Sequence, residues 1–250
     1  MTTKIYWGID GCKGGWIALG LEHDGTSHYA YVTTIPDFWD RYGVTAQRIL
    51  IDMPIGLSSD ADGRLVDAAA RDILQNRRSS VFSVPTRDAI MLGGEHGFTD
   101  ENYKIACDIN REIEGKAFSK QGWNISAKIY EVNTFLRDHI SLKDSIVETH
   151  PEVLFWALNN QQPMRYSKKT GLGFMERVEL LEQYQANALD LIREIYEVHR
   201  RVLVDDDIVD ALACAVCARM QNLTTIPQTP KLDAHGLPMQ VVYPHISNND

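Results

Sequence analysis

The stretch that most limits how this chain can fold is VDDDIVDALACAVCARM, residues 204–220. After three aspartates it is apolar on every side from Ala211 to Ala218, and such a pattern is typical of a helix buried in the core. Asp210 lies inside this pattern, although stripping water from a carboxylate is costly unless a partner compensates. The stretch therefore predicts a buried helix with one carboxylate that must face something polar.

Composition and charge narrow the class of protein. The chain has 250 residues, 44% of them apolar, which is enough for one large domain or a domain with an insertion. No segment approaches the roughly 20 apolar residues of a membrane span, and the N-terminus lacks a signal-peptide core. The net charge of −9 argues against broad, non-specific binding of nucleic acid. We expect a cytoplasmic protein without a membrane partner.

The four cysteines are too few for a disulfide framework and indicate a reducing compartment. Cys214 and Cys217 form a lone C-x-x-C motif. On an apolar helix, two small core residues are favoured over a redox or zinc pair.

Hydrophobic patterning predicts an α/β fold with a mixed sheet. Strands are expected in KIYWGIDG, GWIALGLEH, SHYAYVTTI, RILIDMPIGL and SIVE. A short helix begins near Pro36, since proline suits a first helical turn. Residues 57–127 are more polar and are interpreted as a mostly helical insertion in a single domain, and residues 174–200 as one long amphipathic helix. The proline-containing tail, residues 224–250, is expected to be extended, with MQVVYP as an edge strand.

Carboxylates follow three of the predicted strands. Asp10, Asp52 and Glu148 each come at the end of an apolar run, and ligands of open α/β sheets bind at the carboxyl ends of the strands. Asp207 and Asp210 are three residues apart and share one helix face. If the strands are parallel neighbours, these five acids converge on one pocket, where we expect them to be catalytic.

Such a pocket has a definite chemistry. Several carboxylates in one place repel each other, and oxygen-rich acidic sites suit Mg²⁺ or Mn²⁺. Two such ions can activate water and stabilise the leaving oxygen in phosphodiester hydrolysis. The alternative is structural: Asp205 to Asp207 would cap a helix, and Asp10 and Asp52 would be turn residues. The coincidence of all these contexts favours a shared site.

Other polar residues are candidates for substrate binding. Arg71, Arg78 and Ser79 could hold a phosphate, because the planar guanidinium matches phosphate oxygens, or they could lie on a solvated helix face. Lys128 could contact substrate or pair with Glu131 along a helix.

Two further candidates lie beside the acids. Lys13 in the turn GCKGG could touch a phosphate near Asp10, although the turn is not a P-loop. His150 could bind a metal or act as a base, or it could cap the helix that follows.

Seven motifs, in this order along the chain, resemble those of the DUF429 family: GIDGCKGGW, IDMPIGL, RRSSVFSVPTR, QGWNISAKIYEV, ETHPEVLFWAL, KKTGLG and DDDIVDALACAVCA. The resemblance implies a ribonuclease H-like fold and a predicted nuclease. The last motif is also similar to the final helix of RuvC-type resolvases, which implies that Asp10, Asp52, Asp207 and Asp210 are metal ligands. Glu148 has no counterpart in the resolvase pattern, and the acidic net charge departs from it.

The function implied by this resemblance is a Mg²⁺- or Mn²⁺-dependent phosphodiester hydrolase acting on nucleic acid or a nucleotide. Two rivals stay open. One is a phosphotransferase of the sugar-kinase or actin-like type, which needs two copies of the core and so a homodimer. The other is a non-enzymatic protein that binds a metal or nucleotide.

Overall fold

The computed structural model of the protein describes residues 4–246. Within this range the strands are β1 (Ile5–Cys12), β2 (Gly15–Leu21), β3 (Ser27–Val32), β4 (Ala46–Ile51), β5 (Ile146–Glu148), β6 (Leu223–Leu232) and β7 (Pro238–Pro244). The α-helices are α1 (Ile35–Tyr42), α2 (Leu65–Leu74), α3 (Arg87–His96), α4 (Asp100–Glu114), α5 (Lys120–Asp138), α6 (Pro151–Leu158), α7 (Gly171–Glu182), α8 (Ala188–His199) and α9 (Asp205–Arg219).

The main sheet has five strands in the order β3-β2-β1-β4-β5. The first three strands pair antiparallel, and β4 and β5 run parallel to β1. The predicted α/β fold class with a mixed sheet flanked by helices is confirmed, and the strand order is consistent with a ribonuclease H-like fold. The three parallel strands are neighbours, which is the condition that convergence of the acids required.

Helix α9 is buried as its sequence predicts. Every residue from Ile208 to Ala218 lies in the core, including Cys214 and Cys217, whose thiols are not in a disulfide. Gly8 of β1 makes this packing possible, because a Cβ there would lie 2.1 Å from the backbone oxygen of Ala211. The missing side chain lets the helix backbone approach the strand directly.

The segment predicted as one helix over residues 174–200 is two helices, α7 and α8. Tertiary hydrogen bonds hold the break between them. The side-chain amide of Gln185 donates to the Gly25 carbonyl at 2.9 Å, and the Arg219 guanidinium donates to the Tyr184 carbonyl at 2.8 Å. The prediction was wrong because these partners are distant in sequence and no glycine or proline marks the break.

The C-terminal tail is extended, as predicted. MQVVYP lies in β7, but this strand pairs with β6 in a separate two-stranded sheet and not at an edge of the main sheet. Proline-rich β6 has few buried residues, which is why its sequence lacks a clear strand pattern. Residues 247–250 of the predicted tail lie outside the described residues.

The chain forms two compact units. The first unit contains the main sheet and is built from residues up to Asp52, Asp144–Thr224 and the chain from Val242 onward. The second unit comprises Met53–Lys143 and Thr225–Val241 and is mostly helical, with a small core around Trp123. The segment 57–127 belongs to this second unit, and its interpretation as an insertion in a single domain stays a prediction. Across residues 4–246, none of the helices has both the length and the apolar character needed to cross a membrane.

Candidate metal centre

Three carboxylates of the first unit meet at one place. Asp10 in β1, Asp52 directly after β4 and Asp210 in α9 each present an oxygen, and the three oxygens lie within 4.8 Å of one another. We call these residues the acidic cluster. Asp10 and Asp210 are buried, whereas Asp52 keeps part of its surface accessible. The cluster is therefore largely enclosed, and Asp52 is its most accessible member.

Strand register explains why Asp10 and Asp52 are neighbours. Ile9 and Ile51 are paired across the parallel strands, so the residue after each lies at the same level of the sheet. The Asp52 amide donates to the Ile9 carbonyl at 2.9 Å, which extends the ladder beyond the end of β4. Asp210 reaches the same point because α9 packs closely on β1 at Gly8.

The electrostatics of the cluster disfavour full ionisation. Burial, followed by repulsion from Asp52 and Asp210, raises the pKa of Asp10 well above its ordinary value. Burial also raises the pKa of Asp52, against the opposing effect of His150. Burial raises the pKa of Asp210 to about 6, although Lys168 acts in the opposite direction. The cluster lacks enough positive charge to keep three carboxylates ionised.

Lys168 is the site residue that the sequence interpretation missed. Its Nζ forms an ion pair with Asp210 and lies 3.5 Å from a carboxylate oxygen of Asp206. Burial opposes its charge, but Asp210 and Asp10 outweigh burial and raise the pKa of the ammonium. The motif KKTGLG, which contains Lys168, was identified only by its resemblance to the family. Lys168 and Asp210 are 42 residues apart, and no spacing rule connects them.

One carboxylate oxygen of the cluster is suited to binding a cation. Among the described residues, Oδ1 of Asp210 has no hydrogen-bond partner although it is fully buried. Buried polar atoms nearly always have a hydrogen-bond partner. An oxygen that lacks such a partner and lies beside two further carboxylates is therefore suited to binding a cation. Carboxylate oxygens are the ligands that hard divalent cations prefer. The residues present therefore fit a divalent metal ion, whose identity the chemistry of the ligands leaves open.

Asp207, also predicted as a ligand, has a structural role at the start of α9. Its carboxylate accepts a hydrogen bond from the Val204 amide at 3.1 Å, which caps the helix. It contributes to the raised pKa of Asp10, though less than Asp52 and Asp210 do. It lies outside the acidic cluster, and its role as a metal ligand stays a prediction.

Glu148 and His150 lie on the neighbouring strand and its exit. Glu148 is buried at the end of β5, paired with Ile51. His150 caps α6, because its Nδ1 accepts from the Glu152 amide at 3.2 Å. His150 opposes the rise in the pKa of Asp52, so the ring lies within electrostatic reach of the cluster. Their catalytic roles stay predictions.

The predicted phosphate-binding residues are divided between the units. Lys13 is exposed in the two-residue turn between β1 and β2 of the first unit. Arg71, Arg78, Ser79 and Lys128 belong to the second unit. The Arg71 guanidinium donates to the Val81 carbonyl at 2.9 Å and to the Ser83 hydroxyl at 3.1 Å, so it already stabilises its own unit. Arg78 and Ser79 are exposed, and Lys128 is half-buried on α5.

Comparison with known proteins identifies one family. A family model described as "Protein of unknown function (DUF429)" matches residues 8–232. Neither the curated proteins nor the solved structures contain a significant match to the chain. The matched range includes all three residues of the acidic cluster and Lys168.

Proposed function

The chain belongs to the DUF429 family, and from its acidic cluster we propose that it is a divalent-metal-dependent phosphodiester hydrolase acting on nucleic acid or nucleotides. The observation that carries the proposal is the fully buried Oδ1 of Asp210, which lacks a hydrogen-bond partner within the described residues and lies among two other carboxylates. Enclosing several carboxylates together is costly without a compensating cation, which supports a metal site over a role only in caps and turns.

We assign the metal to Asp10, Asp52 and Asp210, with Asp207 as a further ligand. Mg²⁺ or Mn²⁺ bound there would neutralise charge on a phosphodiester and make water a stronger nucleophile. Asp10 is buried, and Asp52, Asp210 and Asp207 all raise its pKa. It is therefore the ligand chosen for removal in the test.

The remaining residues have proposed roles around this centre. Lys168 holds positive charge beside Asp210. Glu148 or His150 would orient the attacking water. Lys13 of the first unit is proposed to hold a phosphate oxygen. Phosphate binding by Arg71, Arg78, Ser79 and Lys128 of the second unit stays a prediction. The net charge of −9 favours a short or structured nucleic acid, or a nucleotide, over long duplex DNA.

The test is a calorimetric titration of Mn²⁺ into metal-stripped protein. We compare the wild type with Asp10→Asn and with a matched control, Asp190→Asn, which changes an exposed carboxylate at the start of α8. We expect wild type and the control to bind equally and Asp10→Asn to lose binding. With Mn²⁺ present, the first two should hydrolyse the model diester bis(p-nitrophenyl) phosphate.

Each other result has a definite meaning. Metal binding without hydrolysis of any diester or nucleotide would favour the non-enzymatic alternative. Transfer of a phosphoryl group from ATP to an acceptor, accompanied by dimerisation, would favour the phosphotransferase. Equal Mn²⁺ affinity in wild type and Asp10→Asn would remove the support for a shared metal centre.

A further inference from the structure

A cavity of about 390 Å³ opens beside the acidic cluster in the first unit. Its lining comes from the start of α7, from α8 and from the start of α9, and we call it the α7–α9 cavity; the residues used below are Lys168, Lys169, Phe174, Tyr196, Asp205 and Asp206. The volume lies within the range of small-molecule sites in proteins. Nothing in the proposed hydrolytic centre uses this cavity except one shared residue.

Lys168 is the residue that the cavity and the cluster share. It lines the cavity, and its Nζ forms the ion pair with Asp210. One side chain therefore separates the two sites. A substrate phosphate at the cluster would therefore lie near a residue of this cavity, so an adjoining nucleotide unit has the cavity within reach.

One part of the cavity presents ammonium groups. Nζ of Lys169 lies 2.6 Å from Asp206, and Nζ of Lys168 lies 3.5 Å from the same carboxylate. An ammonium has three donors, so these ion pairs hold both groups in place and leave donors available. The Lys169 side chain is 70% exposed, and an ion pair so exposed is weak enough to be shared with a phosphate.

Another part of the cavity presents aromatic and apolar surface. Tyr196 of α8 is 37% exposed, and Phe174 of α7 is partly buried against the core. Exposed aromatic side chains are the groups on which unpaired bases stack, with little dependence on base identity. The exposed carboxylate of Asp205 adds an acceptor for hydroxyl or amino groups.

From this combination we propose that the α7–α9 cavity binds one nucleotide unit of the substrate, with the base on Tyr196 and the phosphate on Lys169. Ammonium donors, carboxylate acceptors and an aromatic surface together complement a nucleotide. A simple anion would leave the aromatic surface unused, and an apolar ligand would leave the charges unsatisfied. The proposal deepens the proposed hydrolase function and rests on it for the identity of the substrate.

The test is calorimetric titration of AMP, adenosine and inorganic phosphate into the full chain, once with EDTA and once with Mg²⁺. Tyr196→Ala and Lys169→Ala are compared with Val198→Ala, a control on the same helix whose side chain is 62% exposed and does not line the cavity. We expect AMP to bind in EDTA and more tightly than either fragment. Each of the two cavity variants should weaken AMP binding roughly fivefold or more, the loss expected from one base-stacking contact or one charged contact. The control should bind like wild type.

Failure of this proposal is distinguishable from failure of the hydrolase proposal. AMP binding that depends on Tyr196 and Lys169, in a chain that binds no Mn²⁺, would support the cavity and remove the hydrolase. Absence of AMP binding in both buffers, or binding equal in all variants, would overturn the cavity proposal whatever the metal does. A Tyr196→Ala variant that turns a dimer into a monomer with unchanged AMP affinity would assign the surface to a second copy, and would overturn it too.

Discussion

The apolar surroundings of Asp210 disfavour the charged form of its carboxylate. The residue is 1% exposed, and burial raises its pKa to about 6. Lys168 compensates one oxygen, and the other has no hydrogen-bond partner in the described chain. Such an arrangement is poorly satisfied without a cation, and residues of this kind are commonly found at functional sites.

The raised pKa values predict that metal affinity depends on pH. Asp210, with a pKa of about 6, and Asp10, whose pKa is also raised, must lose protons before they can bind a cation. Below pH 6 we expect affinity to fall roughly tenfold per pH unit for each proton displaced. Titrations in buffers of different ionisation enthalpy should show net proton release. Affinity that stays constant between pH 5 and 7.5 would contradict the proposed ligands.

The stability of the metal-free protein should change with pH in the opposite sense. A carboxyl whose pKa is higher in the folded than in the unfolded state binds protons preferentially when folded. The destabilisation caused by ionised Asp210 is therefore present above pH 6 and is relieved as the pH falls through 6 towards 4. Thermal melts of wild type and Asp210→Asn should show that this part of the pH dependence is absent in the variant.

At the scale of elements, the contact between β1 and α9 determines the site. The strand supplies Asp10, the helix supplies Asp210, and Gly8 sets how closely the two backbones approach. Sequence patterning identified both elements, because a short run rich in aromatic and β-branched residues before a glycine-rich turn differs in length and residue type from a long alanine-rich run. It did not identify the break between α7 and α8, which depends on partners such as Gly25 and Arg219.

Gly8→Ala should therefore disrupt the first unit. The new Cβ would lie 2.1 Å from backbone atoms of Ala211 and Ala215, and backbone cannot move aside as a flexible side chain can. We expect destabilisation of about 3 kcal/mol or more, at the upper end of overpacking effects. The matched control is Gly171→Ala, where a Cβ meets nothing within 4 Å and the melting temperature should hardly change. Equal melting temperatures for the two variants would mean that the close approach is unimportant.

At the scale of the whole molecule, segments far apart in sequence build each unit. In the second unit, Asp233 accepts hydrogen bonds from the Leu57 amide at 3.1 Å and from the Arg87 guanidinium at 2.5 Å. Its other oxygen accepts from the Leu237 amide at 3.0 Å. One buried carboxylate thus joins Thr225–Val241 to Met53–Lys143.

Asp233→Asn should weaken the second unit markedly. The change removes the charge that pairs with buried Arg87 and turns one acceptor into a donor, so we expect a loss of about 3 kcal/mol in the free energy of unfolding. Asp62→Asn is the control, because Asp62 is exposed and lies 3.5 Å from Lys231 in a solvent-screened ion pair. Urea denaturation followed by circular dichroism should show a loss in the free energy of unfolding that is several-fold larger for Asp233→Asn than for Asp62→Asn. Similar urea midpoints for the two variants would show that the buried pair contributes little to stability.

The sequence by itself determined the α/β class with a mixed sheet, the burial of α9 and the candidate acids at the strand ends. These features follow from the pattern of apolar residues and from the helix, strand and turn preferences of neighbouring residues, both of which can be read along the chain. Only the tertiary structure showed that oxygens of Asp10, Asp52 and Asp210 lie within 4.8 Å of one another. Lys168, the α7–α9 cavity and the two-unit division also emerged only there. The physical reason is that each depends on distances between residues far apart in sequence, and packing alone sets those distances.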